Sequence, residues 1–230
     1  MTSNQHIGIP IEACLCYNEK AMLYIIDELE KLDDDFPENI QKLISNDRFA
    51  KYQRLPSSLN KKASVAVYLL LRLALHEVYG IDEVVEFDYA KKGKPSLIKY
   101  PQIHFSLSHS HNTAACAVSD YEVGVDIQQI AHISEKVAKR VLTNEEYEVY
   151  SHSQTPDEYF CKIWTIKESY VKQTGVGITI ELNTISAESI VDKMVFNKDN
   201  YYCCVSGKEA TKMQVINIGR KQFEKLYDGF

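Results

Sequence analysis

A carboxylate in the middle of an apolar strand pattern is the first residue in this sequence that suggests chemistry. In the segment VGVDIQ (residues 123–128), apolar residues at every second position alternate with Gly124, Asp126 and Gln128. This period of two is typical of a half-buried strand, and it puts Asp126 and Gln128 on the same face. Aspartate is disfavoured in strands, and its burial is costly without a partner. The pattern therefore indicates that a cation compensates Asp126.

A second carboxylate and a lysine lie on a predicted amphipathic helix, DEYFCKIWTIKESYVKQT (residues 157–174), which ends at Gly175. Glu168 and Lys172 are four residues apart, so they are neighbours on one face, and Trp164 precedes Glu168 by one turn. One interpretation is a surface ion pair that contributes about 0.3–0.5 kcal/mol. The other is a functional pair beside the single tryptophan of the chain.

Two further segments offer groups that could bind phosphate. In HFSLSHSH (residues 104–111), Ser108 and His109 could donate hydrogen bonds to phosphate oxygens, although solvated hydroxyls on an edge strand would give the same pattern. Residues 48–62 contain five cations and no acid, which is either a solvated face or a site for a phosphorylated ligand. The glycine turn KKGKP (residues 91–95) adds three lysines.

These groups together favour phosphoryl-type transfer with Mg²⁺. Asp126 and Glu168 supply the hard oxygen ligands that Mg²⁺ prefers beside substrate phosphates, and Lys172 lies next to them. Gln128 could contribute a carbonyl oxygen or hold a metal-bound water. A bound cation would explain why a carboxylate is tolerated in a strand.

The elements that must position these residues indicate an α+β fold. Residues 60–79 predict a buried central helix that ends at Gly80, and strands are predicted at 103–110, 113–119 and 122–127. Short polar turns favour antiparallel neighbours. Residues 22–32 and 36–54 predict short helices or turns, and the tail predicts a closing hairpin of YYCCVSG with KMQVINIG, followed by a small helix. Each half thus has one long helix and several antiparallel strands, with a boundary near residue 120 that separates 1–120 from 121–230.

Composition excludes several classes of protein. The net charge of −6 over 230 residues argues against a general nucleic-acid binder. The six cysteines form no C-x-x-C pair and have no histidines at metal-ligand spacing, which predicts reduced core thiols and a cytoplasmic protein. The N-terminal residues do not have the pattern of a signal peptide, and the longest apolar run, residues 65–71, is too short to span a bilayer. We expect no membrane association.

At this point the motifs resemble a known family. VGVDIQ followed by FCKIWTIKESYVKQTGVGI resembles the paired signature of the Sfp-type 4′-phosphopantetheinyl transferases. FSLSHS resembles the serine–histidine motif of that family, GKPSL its Lys-Pro turn, and AKRVLTNEEY the helical segment between the two signatures. The order and spacing agree over most of residues 45–180. Either short motif alone would be weak, but four in order are specific.

The resemblance implies a monomer of two similar α+β halves, each an antiparallel sheet packed on a long helix, with coenzyme A bound in the cleft between them. It implies transfer of the phosphopantetheine arm to a serine of an apo acyl or peptidyl carrier protein, with release of adenosine 3′,5′-bisphosphate. Position by position, the metal ligands would be Asp126, Glu168 and Gln128. Phosphate oxygens would be contacted by Lys172, His109 and Ser108, and the adenosine end by Lys94 and Pro95. The 3′-phosphate would be held by Arg48, Lys51 and Ser64, with Lys62 as an alternative.

The implied catalytic residues are Asp126, Glu168, Lys172 and His109, with Glu168 accepting the proton of the incoming serine hydroxyl. One departure is Gln128, where many relatives carry glutamate, so a water could complete the metal shell. Acidic carrier proteins would need local positive charge, which Lys136, Lys139 and Arg140 could provide. The alternatives are a Mg²⁺-dependent phosphohydrolase or nucleotidyltransferase and a non-catalytic module that binds coenzyme A or the carrier.

Overall fold

The computed structural model describes residues 20–32, 40–177 and 181–229, and these ranges contain nine strands and seven α-helices. The strands are β1 (Met22–Ile26), β2 (Phe87–Tyr89), β3 (Pro95–Leu97), β4 (His104–Ser110), β5 (Thr113–Ser119), β6 (Val123–Gln129), β7 (Lys193–Lys198), β8 (Tyr201–Gly207) and β9 (Gln214–Asn217). The helices are α1 (Ile40–Leu43), α2 (Asn46–Gln53), α3 (Ser58–Tyr79), α4 (Glu135–Val141), α5 (Asn144–His152), α6 (Pro156–Thr174) and α7 (Arg220–Gly229).

Two sheets lie face to face between two long helices. The first sheet has the strand order β4-β5-β1-β9 and the second has the order β6-β8-β7, while β2 and β3 form a separate hairpin. Neighbouring strands are antiparallel except β1 and β9, which are parallel. Helix α3 packs on the outer face of the first sheet, and α4 and α6 pack on the outer face of the second. Alternate residues of β1, β5, β6 and β8 fill the space between the sheets. The prediction of an α+β fold with antiparallel sheets is confirmed.

Both long helices begin and end close to the predicted positions. Helix α3 is buried along most of its length and ends at Gly80, whose φ of 68° closes the helix in the left-handed conformation. Helix α6 ends in the same way at Gly175 with a φ of 66°. Glycine adopts this conformation without the steric penalty of a Cβ, which is why both helices end there.

Two predictions about the first sheet are wrong. Residues 22–26 form a strand rather than a helix or turn, because all five are buried in the interior of the sheet and their apolar run has no helical alternation to identify. The tail does not form its own hairpin: β8 pairs with β6 and β7, whereas β9 crosses to the first sheet and lies parallel to β1. These are pairings between distant segments, which a local pattern does not encode. Residues 36–39, where the second predicted segment of helices or turns begins, lie outside the described residues.

The crossing of β9 bears on the boundary expected near residue 120. Phe223 of α7 belongs to the apolar core around α3, so the last strand and helix pack with the first sheet although they follow the second in sequence. The boundary near residue 120 stays a prediction. Among the described residues, no helix is long and apolar enough to cross a membrane.

Candidate active site

Close contact between β6 and α6 builds the candidate site. Gly124 faces the helix so closely that an added Cβ would lie 1.9 Å from the carbonyl oxygen of Ser169 and 2.3 Å from the amide nitrogen of Gln173. Because side chains alternate along a strand, Asp126 and Gln128 face the helix as well. The glycine thus lets the backbone of β6 approach α6, and this approach brings Asp126 to the face that carries Glu168 and Lys172.

The Asp126 carboxylate is buried, and only one of its oxygens has a partner. Its Oδ1 accepts hydrogen bonds from the Ser108 hydroxyl at 2.9 Å and from Lys172 Nζ at 2.7 Å. Lys172 Nζ also donates to Ser108 Oγ at 2.9 Å, so the three side chains form a closed group. Asp126 Oδ2 is buried and has no hydrogen-bond partner within the described part of the chain. A buried carboxylate oxygen without a partner is costly, which indicates that a ligand completes it.

Glu168 is the second carboxylate of this group, on α6 one turn before Lys172. Burial raises the pKa of Glu168, the charge of Asp126 raises it further, and Lys172 lowers it. Lys172 forms its ion pair with Asp126 rather than with Glu168 four residues before it. Two neighbouring carboxylates and one cation leave excess negative charge, and a divalent cation would relieve it.

The donor set fits Mg²⁺. Asp126 and Glu168 offer hard carboxylate oxygens, one of them an orphaned buried atom, and Mg²⁺ in proteins keeps waters and binds substrate phosphates in addition to one or two carboxylates. No group of three or more His, Cys, Asp or Glu side chains able to hold a metal is found in the described ranges, so a complete protein cage is not formed there. The third predicted ligand, Gln128, lies on the same face, where its backbone carbonyl accepts a hydrogen bond from Cys161 Sγ at 3.3 Å.

Three cations, Lys172, Lys51 and Arg48, lie within electrostatic reach of His109. Desolvation lowers the pKa of His109, and the charges of Lys172, Lys51 and Arg48 lower it further, although Asp126 raises it. Burial lowers the pKa of Lys51, and the charge of Arg48 adds to this effect. These groups come from α2, β4 and α6. The structure therefore brings three cations together beside a histidine, an arrangement that suits an anionic ligand.

Arg48 is the most deeply buried member of this set, with 7% of its surface exposed. Its Nη2 donates to the carbonyl oxygen of Ser64 at 2.8 Å and lies 3.4 Å from the Ser64 hydroxyl, and its guanidinium is 5.9 Å from the ring centres of Tyr68 and Phe87. Burial lowers its pKa, and the charges that oppose this shift come from tyrosines, with no carboxylate of the described residues among them. Arg48 and Ser64 are thus in contact, and their binding of the 3′-phosphate stays a prediction.

Lys62, Lys94 and Pro95 are engaged in other contacts. Lys62 is buried, and its Nζ donates to the carbonyl oxygen of Leu32 at 2.5 Å. Lys94 forms an ion pair with Glu122 and donates to the carbonyl oxygen of Gln173 at 2.5 Å, so it ties the 90–94 turn to the end of α6. Pro95 begins β3 opposite Tyr89. None of the three makes a direct contact with the Asp126 group in the described structure.

Sequence reasoning missed the structural role of Lys167. This side chain is fully buried and forms an ion pair with Glu146 at 2.5 Å, while its Nζ also donates to the carbonyl oxygen of Val141 at 2.7 Å. The same Glu146 closes the capping box of α5 with Thr143. The pair thus joins α5 to α6. The signal available was a lysine on the apolar side of a helix, where only a paired charge is tolerated.

Comparisons with known proteins define the class to which this fold and site belong. A family model described as the 4′-phosphopantetheinyl transferase superfamily matches residues 122–213, which begin just before β6 and include α6. The chain is also similar to individual proteins. A 4′-phosphopantetheinyl transferase named psf-1 from Bacillus pumilus is 30% identical over 70% of this chain and 72% of its own length. The 4′-phosphopantetheinyl transferase Sfp of Bacillus subtilis (strain 168) is 28% identical over 71% of this chain and 75% of its own.

A third relative, the 4′-phosphopantetheinyl transferase HetI from Nostoc sp., is 34% identical over 61% of this chain and 63% of its own length. The chain belongs to the 4′-phosphopantetheinyl transferase superfamily. The prediction of an Sfp-type enzyme of this class, made from the motifs, is confirmed.

Proposed function

We propose that this enzyme transfers the 4′-phosphopantetheine arm of coenzyme A to a serine hydroxyl of an apo acyl or peptidyl carrier protein, with a divalent cation, and releases adenosine 3′,5′-bisphosphate. The observation that carries the proposal is the group formed by Asp126, Ser108, Lys172 and Glu168 beside clustered cations. Its residues come from motifs far apart in sequence. They combine carboxylates, which could bind a divalent cation, with a hydroxyl and cations, which could bind the oxygens of a diphosphate.

In this proposal the two halves, residues 1–120 and 121–230, are related by a pseudo-twofold arrangement, and coenzyme A binds in the cleft between them. The support is the layer order, in which α3 and α6 cover opposite outer faces of the two sheets. Arg48, Lys51 and His109 come from the first half, and Asp126, Glu168 and Lys172 come from the second. The enzyme is proposed to act as a monomer in the cytoplasm.

Asp126 and Glu168 are the proposed metal ligands, and Gln128 or a water completes the shell. A bound Mg²⁺ would neutralise charge on the pyrophosphate and polarise its oxygens. Lys172 and His109, with the Ser108 hydroxyl, are proposed to contact phosphate oxygens. The buried guanidinium of Arg48, with Lys51 and Ser64, is proposed to bind the 3′-phosphate, because a buried cation without a carboxylate partner is stabilised by a bound anion. Lys94 and Pro95 are proposed to border the adenosine.

Glu168 is proposed to accept the proton of the incoming serine. The serine oxygen attacks the β-phosphorus in line and forms the new P–O bond. The bond between that phosphorus and the bridging oxygen breaks, and the bridging oxygen leaves as part of adenosine 3′,5′-bisphosphate. Lys172 stabilises the charge that develops on the leaving phosphate.

The carrier is proposed to dock at α4, since carrier proteins of this kind are acidic. Lys136 and Arg140 are exposed and four residues apart on this helix, with the exposed side chain of Val137 between them. Lys139 forms an ion pair with Glu135 at 2.6 Å, so its charge is partly neutralised. The helix thus offers positive charge around a small apolar contact.

The test is mass spectrometry of a purified apo-carrier incubated with this protein, coenzyme A and Mg²⁺. We expect the carrier to gain one phosphopantetheine. The variants Asp126→Ala and Glu168→Ala should abolish the gain, whereas Glu148→Ala, which removes an exposed carboxylate on α5, should keep it. Consumption of coenzyme A with an unmodified carrier would support a phosphohydrolase instead. Binding without turnover would support a non-catalytic module.

A further inference from the structure

Three serines at alternate positions of β4 join the two sheets. The hydroxyl of Ser106 accepts a hydrogen bond from the backbone N–H of Val125 at 2.9 Å. Ser108 accepts from Ile127 at 3.2 Å, and Ser110 accepts from Gln129 at 3.0 Å. We call these three residues the serine ladder. Its spacing of two residues on both strands keeps β4 and β6 in a fixed register.

The ladder replaces ordinary strand pairing at this junction. β4 is the edge strand of one sheet and β6 is the edge strand of the other, and the described strands show no backbone ladder between them. The N–H groups of Val125 and Ile127 belong to fully buried residues, so they need acceptors from the protein. Side-chain hydroxyls therefore satisfy the edge of β6 that β8 leaves free.

Two rungs of the ladder bind the backbone on either side of Asp126. The peptide N–H groups on the two sides of Asp126, those of Val125 and Ile127, are each bonded to a ladder hydroxyl. On β4, His109 lies between the second and third rungs. The register of the ladder thus sets the position of Asp126 on β6 relative to His109, the candidate phosphate-binding residue on β4.

We propose that Ser106 and Ser110 are positioning residues for the transfer reaction. They contact none of the groups of the candidate site, and they act by holding β6 in the register that places Asp126 against Ser108 and Lys172. Ser108 belongs to the site itself and is therefore not used as a test of the ladder. The inference rests on the proposed function for its activity readout, but its structural part is measured independently.

The experiment compares Ser106→Ala and Ser110→Ala with Ser119→Ala. Ser119 is a matched control, because it is a buried serine on β5 whose hydroxyl also accepts a backbone N–H, that of Tyr121 at 3.1 Å, away from β6. Three quantities are measured: kcat for transfer to an apo-carrier, the affinity for Mn²⁺ by calorimetry with coenzyme A present, and amide hydrogen exchange.

We expect both ladder variants to lose at least tenfold in kcat and at least threefold in Mn²⁺ affinity, while Ser119→Ala stays within twofold of the parent protein. Exchange should accelerate at Val125 in Ser106→Ala and at Gln129 in Ser110→Ala. Ser110→Thr keeps a hydroxyl at the less buried rung, so it should recover the kcat and the Mn²⁺ affinity that Ser110→Ala loses. This pair of variants provides the test if Ser106→Ala does not fold. Ladder variants that match Ser119→Ala in kcat and Mn²⁺ affinity would overturn the inference. If the parent protein shows no transfer, the proposed function fails. Unchanged Mn²⁺ affinity and unchanged amide exchange in the ladder variants would separately refute the inference that the ladder positions Asp126.

Discussion

The contact between Gly124 and α6 gives the sharpest prediction about the site. In Gly124→Ala, the new Cβ would lie 1.9 Å from the carbonyl oxygen of Ser169 and 2.9 Å from the Cα of Gln173. Contacts shorter than 3.0 Å are essentially never observed for a Cβ, and both partners are backbone atoms that no side-chain rotation can move. β6 and α6 must therefore separate by about 1 Å, and Glu168 and Lys172 move away from Asp126.

The expected losses follow from this displacement. Overpacking costs about 1–3 kcal/mol of unfolding free energy, and a misplacement of about 1 Å in a catalytic group costs roughly 100-fold in rate. Chemical denaturation measures the first quantity, and phosphopantetheine transfer to an apo-carrier under saturating coenzyme A measures the second. The assay is run under conditions in which the variant remains folded. The loss in rate should therefore exceed the loss that a small unfolded fraction would explain.

Gly219→Ala is the control for this substitution. An added Cβ at Gly219 meets no atom within 4 Å, and the residue does not need a positive φ, so stability and rate should stay close to those of the parent. A Gly124→Ala protein that keeps its rate within twofold of the Gly219→Ala protein would refute the argument that β6–α6 contact positions the acids.

Three further predictions concern individual charges. Lys167→Met leaves Glu146 buried without its cation and should lower the unfolding free energy by about 3–5 kcal/mol in denaturant titrations, whereas Lys139→Met at an exposed pair should change it little. Gln128→Glu should lower the Mg²⁺ concentration needed for half-maximal transfer, and an unchanged value would mean that Gln128 is remote from the metal. Because the pKa of Glu168 is raised in the folded protein, metal-free protein should lose stability relative to Glu168→Gln as the pH rises through that pKa; parallel curves of thermal midpoint against pH would contradict this.

The parts of the fold with a local signal were predictable from the sequence. The capping box at Thr143, the glycine ends of α3 and α6, and the alternation of β6 each depend on residues close together in the chain. The strand at residues 22–26 was missed because a short apolar run fits either a buried strand or a helix. The parallel pairing of β9 with β1 depends on contacts between segments almost 200 residues apart, for which no local pattern exists.

The candidate site was predictable to a similar degree. Burial of Asp126 was inferred because an acid in an apolar strand requires compensation, and the structure provides Lys172 and Ser108 as partners. The serine ladder was visible only as alternation in FSLSHS, which equally describes solvated hydroxyls. The burial of Lys167 was also not predicted, because the position of a lysine on a helix does not identify the distant residue that pairs with it.

The candidate site depends on the docking of the two sheets, because its groups come from opposite sides of one junction. β6 and α6 contribute the acids, and burial raises the pKa of Glu168, with a further increase from the charge of Asp126. β4 contributes Ser108 and His109, and α2 contributes Arg48 and Lys51; burial lowers the pKa of His109, and the charges of Lys172, Lys51 and Arg48 lower it further. Neither set is electrostatically satisfied alone, and a ligand with an anionic diphosphate and a divalent cation would satisfy both at once. We infer that substrate binding stabilises the sheet junction, so coenzyme A with Mg²⁺ should raise the thermal midpoint more than the two separate increases combined.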